Sequence, residues 1–116
     1  MYKTIIKRNQ NFYAMKSYDT VTEAINDLRR RGYSEDLNLS PNHNSLHCHR
    51  LDLLIAANDF QVDEIHRFEG NTDPGDEMVV YAISSEFKQI KGVLTEAYGM
   101  YAESLDEELL NKLKVH

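Results

Sequence analysis

Tyr81-Ala82-Ile83-Ser84-Ser85 and, a few residues on, Lys91-Gly92-Val93-Leu94-Thr95-Glu96-Ala97-Tyr98-Gly99 read as the two arms of a β-hairpin. The first arm belongs to Met78–Ser84, an apolar run rich in β-branched and aromatic residues and suited to a central strand. Glu86-Phe87-Lys88 is too short to carry a parallel crossover, so Gln89–Ala97 returns antiparallel. Upstream, Glu64–Glu69 reads as a strand, followed by the turn formers Gly70-Asn71-Thr72-Asp73-Pro74-Gly75-Asp76. Leu51, Leu53 and Ile55 alternate with Asp52 and Leu54 as a half-buried strand that Asn58-Asp59 breaks. Tyr33–Leu39 starts with an extended piece, and Ser40-Pro41-Asn42-His43-Asn44-Ser45 reads as a loop.

Two helices bracket these strands. Thr20 with Glu23 forms a capping box, and Val21, Ala24, Ile25 and Leu28 then fall on one apolar stripe. Asp27 can pair with Arg30 or Arg31 at helical spacing, and Gly32 sits where a left-handed C-cap is wanted. The spacing therefore predicts a helix over Thr20–Arg31. Near the C-terminus Ser104 with Glu107 is a second capping box, and Leu105, Leu109, Leu110 and Leu113 supply its stripe. The fold class expected is α+β. Connections this short give a two-layer domain, an antiparallel meander of about four strands with both amphipathic helices on one face.

At 116 residues, with 41% hydrophobic and 28% charged residues, the chain fits one globular domain. Helix signals begin only after Met15, so residues 1–14 are expected to be an N-terminal extension and residues 15–116 the domain. The longest apolar runs, such as Leu53-Leu54-Ile55-Ala56-Ala57, fall well short of a membrane span. The N-terminus lacks the apolar segment of a secretory signal, and the lone Cys48 can close no intrachain disulfide. Both point to the cytoplasm. Residues 1–33 carry a balance of +4 and residues 34–116 one of −10, giving the net −6. An acidic body repels nucleic acid, whereas the basic third can pack against the acidic remainder.

Three stretches carry a resemblance: Tyr18–Ala24 through Arg31-Gly32-Tyr33, Phe60–Glu64 with Arg67–Gly70, and Val80–Ser85 with Lys91–Leu94 and Ala97–Ala102. They resemble a family of short bacterial proteins often labelled phosphoribosylpyrophosphate synthetase. The resemblance runs from about Met15 to the C-terminus and supports the α+β reading. Synthetase chemistry would require loops of backbone amides around phosphate with acidic Mg²⁺ ligands beside them. The five glycines form no such loop, so no site residue is carried over and no synthesis of phosphoribosyl pyrophosphate is expected.

Several groupings have ligand chemistry. His43, His47, Cys48 and His49 offer imidazole and thiolate, but a structural zinc wants four convergent ligands and Cys48 in a strand faces away from His47 and His49. No metal and no cofactor are expected. Asp73, Asp76 and Glu77 lack the spacing of a calcium loop and read as a solvated turn. Arg29-Arg30-Arg31 fan out at steps of about 100° on a helix rather than sharing a face. Arg67, Glu69, Tyr81, Lys91, Tyr98 and Tyr101 are the candidates for a small-molecule or peptide surface, since aromatic rings beside charges anchor ligands. Strand packing is the competing reading of the tyrosines. The function expected is a non-catalytic binding or protein-interaction module, using a sheet face or edge toward a partner or a second copy. The alternative is a small enzyme acting on a phosphorylated or sugar-like metabolite.

Overall fold

The computed structural model describes residues 3–6, 18–42, 44–68, 78–97 and 107–113. They form an α+β fold with a single mixed sheet of seven strands. In chain order the elements are β1 (Lys3–Ile6), α1 (Val21–Arg30), β2 (Glu35–Leu39), β3 (Ser45–Cys48), β4 (Leu53–Ala56), β5 (Gln61–Phe68), β6 (Met78–Ser85), β7 (Ile90–Ala97) and α2 (Glu107–Leu113). A short 3₁₀ turn, Ala57–Asp59, joins β4 to β5. The strand order is β1-β5-β6-β7-β2-β3-β4.

The hairpin is as expected, with Tyr81 opposite Leu94 and Ser84 opposite Lys91. The pure meander of about four strands is not. β7 pairs with β2 in parallel, Glu35 lying opposite Gly92 and Leu37 opposite Leu94. Short connections exclude parallel pairing only between strands adjacent in sequence. β2 and β7 are separated by four other strands, so that argument does not reach them. The additional strands are β3, taken from a segment that includes the expected loop's last residue, and β1. Lys3–Ile6, read as part of an extension, pairs antiparallel with β5 at the sheet's edge.

The helices also depart from the expected single layer. Along β6, Val79, Tyr81 and Ile83 point to one side, into a cluster with Leu94, Ile65 and the α2 residues Leu109 and Leu113. Val80 and Ala82 point to the other, into a cluster with Ala24 and Leu28 of α1. α1 and α2 therefore cover opposite faces. A strand apolar at both parities has two faces to bury, and one helix layer cannot bury both.

α1 follows its sequence signals closely. Thr20 Oγ1 accepts from the Glu23 amide at 3.0 Å, and Glu23 accepts from the Asp19 amide at 3.1 Å. At the other end Gly32 takes φ +109°, Gly32 N–H donates to the Arg29 carbonyl and Tyr33 N–H to that of Leu28. That pair of bonds is a Schellman cap, which an L side chain at Gly32 would strain. Gly92 has a different reason. A β-carbon there would stand 2.6 Å from the Glu35 carbonyl oxygen and 2.9 Å from Leu37 Cγ, so glycine lets β2 approach β7.

Candidate functional site

Three arginines leave the end of α1 in three directions, each to a different carboxylate. Arg29 reaches Asp36 at 2.7 Å, Arg30 pairs with Asp27, and Arg31 crosses to β5 and grips Glu64. Arg29–Asp36 and Arg31–Glu64 join the basic N-terminal third to the acidic remainder, whereas Asp27 lies within that third itself.

Around Arg31 lies a buried polar network. Its guanidinium donates to both Glu64 oxygens, at 2.7 and 2.9 Å, and its Nε lies 3.4 Å from Asp27. The Tyr18 hydroxyl donates to Asp27 and accepts from Arg31 at 3.3 Å. His66 Nε2 stands 2.9 Å from Glu64 Oε1, and the Tyr18 ring packs edge-on against His66 at 4.9 Å. His66 is fully buried, while Glu64 and Asp27 are 5% and 6% exposed. Burial alone would raise the Glu64 carboxyl, but hydrogen bonds from His66 and Arg31 outweigh it and hold it down to about 2. Burial, followed by the bond to Asp27, pushes the Tyr18 phenol up to about 12. The Glu64 bond raises Arg31 above its ordinary value against the opposing effect of burial. Those shifts move each group away from neutral pH, whereas acid–base catalysis wants them near it.

A bulge connects this network to an open cleft. The register of β5 on β6 shifts between Val62, opposite Ile83, and Glu64, opposite Ala82. Asp63 is the extra residue, and a bulge re-aims such a side chain. Its carboxylate accepts from Tyr33 Oη at 2.8 Å and Ser84 Oγ at 3.1 Å. Burial and then the Asp63 bond raise the Tyr33 phenol well above its usual range. Lys91 Nζ sits 4.3 Å from the centre of the Tyr33 ring, a cation–π contact. Asp63, Gln61, Ser84, Glu86, Gln89 and Lys91 line much of a cleft of about 470 Å³ beside the β6–β7 turn.

The structure does not gather the sequence candidates into one surface. Lys91 lies in this cleft, on the α1 side of the sheet. Tyr81 points the other way and donates to the Leu113 carbonyl of α2 at 3.0 Å. Arg67, opposite Val79, shares the Tyr81 side. Sheet parity thus separates Lys91 from both. Glu69, Tyr98 and Tyr101 lie outside the described residues, as do His43, Asp73, Asp76 and Glu77. Cys48 is buried in the α2-side cluster, where burial pushes its thiol up. His47 bonds to Asp52 at 3.0 Å, its ring 6.3 Å from that of His49. Among the described residues no group of three or more His, Cys, Asp or Glu side chains is placed to hold a metal.

Sequence reasoning missed Asp63, Glu64 and His66. A signal was present, because Glu64 and His66 alternate with Ile65 in a strand whose neighbours are apolar. Polar side chains at the inward parity of such a strand must find partners inside. Comparison with protein-family models, curated proteins and solved structures finds no match to this chain. No helix among the described residues is long and apolar enough to cross a membrane.

Proposed function

We propose that this protein is a non-catalytic binding module of the cytoplasm whose ligand site is the cleft beside the β6–β7 turn. The observation that carries this reading is the state of Asp63. It reaches the cleft already fixed by Tyr33 and Ser84, while the titratable groups beneath it are consumed by one another. A site built this way is preorganised to bind, since its polar groups are positioned before a ligand arrives. Lys91 offers a cation, and Asp63, Glu86 and the amides of Gln61 and Gln89 offer acceptors and donors around it. The fitting ligand is a small zwitterion or polyhydroxy compound, an acidic group toward Lys91 and amino or hydroxyl groups toward Asp63 and Glu86. The buried thiol of Cys48 suits a reducing compartment.

A thermal-shift screen over hydroxy acids, amino acids, sugar phosphates and nucleotides tests this, because binding to the native state raises its stability. A compound that stabilises the wild-type chain and loses its effect in both Lys91→Ala and Glu86→Ala supports the reading. Stabilisation that survives both changes places the ligand elsewhere, and chemical turnover of the bound compound favours an enzyme.

A further inference from the structure

The sheet ends at β1 on one side, paired with β5. β4 at the other edge reads Leu53-Leu54-Ile55-Ala56, without a charge, a proline or a glycine. Among the described residues no strand lies beyond it. Ile55 is buried, but Leu54 points to the opposite side and is 55% exposed, and Leu51 just before the strand is 41% exposed. α1 packs chiefly on β6 and β7, and among the described residues no helix is centred on the Leu54 side of β3 and β4.

We propose that β4 is a self-association edge and that its occupant is a second copy of this chain, added antiparallel about a two-fold axis through Leu54. The strand itself argues for a second copy. A two-fold axis perpendicular to the sheet keeps each side chain on its own face, and directly opposed residues in an antiparallel pair share a face. Paired residues must therefore have numbers of the same parity. Centring on Leu54 sets Leu54 against Leu54 on the exposed side and Leu53 against Ile55 on the core side. Asp52 stands before the strand with φ +48° and lies outside the ladder, so the paired residues carry no carboxylate. Centring on Ile55 would leave each Leu54 over the small methyl of Ala56 and bury less apolar surface. The pairing is isologous and closes at two copies, whereas β4 against β1 would be heterologous and open-ended. With a four-residue edge strand the dimer is a weak, concentration-dependent one. The β4 edge shares no residue with the proposed cleft, so the two readings stand or fall separately.

Sedimentation of the full chain over a concentration series, combined with site-directed cross-linking, tests the proposal. The wild-type chain is expected to approach twice its 13.5 kDa mass as concentration rises. Leu54→Lys is expected to stay monomeric with an unchanged circular-dichroism spectrum, since Leu54 is exposed. Leu54→Cys is expected to form an intermolecular disulfide on mild oxidation. Opposed antiparallel residues lie about 4.5–5.5 Å apart at Cα, within disulfide reach. Ala56→Cys is expected to cross-link far less, because the register holds its two copies about 14 Å apart. A wild-type chain monomeric throughout, a dimer that survives Leu54→Lys, or stronger cross-linking in Ala56→Cys than in Leu54→Cys would each overturn it.

Discussion

The two faces of the sheet are held by different physics. On the α2 side the contacts are apolar, with Leu94, Ile83, Ile65 and Leu109 almost entirely buried and the Tyr81 hydroxyl tied to the end of the helix. On the α1 side Ala24 and Leu28 pack on Val80 and Ala82, but the seam closes over Arg31, Glu64, Asp27, Tyr18 and His66. An apolar contact is tolerant of detail and indifferent to pH, whereas a buried ion pair is strict about partners and titrates. The first face is held chiefly by apolar packing, and the second by apolar packing together with an ionised network that seats α1.

That difference can be broken at either face. The largest effect is expected from Glu64→Ala, which leaves Arg31 and His66 facing an empty site. Loss of one partner from a buried pair costs about 3–5 kcal/mol, measurable by urea denaturation at neutral pH. On the other face Leu94→Ala is expected to cost about 2–5 kcal/mol, as for other buried leucines, with the loss constant across mildly acidic and neutral pH. Leu28→Ala, at the apolar part of the α1 seam, belongs to the same range. Gly92→Ala drives a methyl into the Glu35 carbonyl and Leu37, and an overpacking loss of about 1–3 kcal/mol is expected from the parallel β2–β7 seam. Thr20→Ala removes only the cap of α1 and is expected to cost about 1 kcal/mol by thermal melting. If the cap mattered more than Glu64, α1 would be held by its own local signals rather than by the network.

Local signals were the legible part of the chain. The cap residues Thr20 and Gly32, the stripe of Ala24 and Leu28, and the β6–β7 hairpin all lie where the spacing put them. These features depend on residues close in sequence. The parallel β2–β7 pair joins residues more than fifty positions apart, and no spacing rule reaches that far. The opposite placement of the helices was written in β6, whose Val79–Ile83 run is apolar at both parities, but that run also suits a strand that merely lies at the centre of a sheet. At the site, Lys91 stood among the candidates, whereas Asp63 did not. Its orientation depends on a bulge, and a bulge appears only when two strands are in register.

The central claim is that the α1 face is locked by an ionised Glu64, and the pH dependence of stability in wild type and Glu64→Gln tests it most directly. Folding lowers the Glu64 carboxyl from an ordinary 4.5 to about 2. A lowered carboxyl contributes stability that is fully present above about pH 4.5 and is lost as pH falls through about 2. The account predicts that wild type exceeds Glu64→Gln by a constant margin from neutral pH down to about 4.5, and that the margin then shrinks steadily toward pH 2. A margin that stays the same across that acid window would contradict it, and so would no margin at neutral pH.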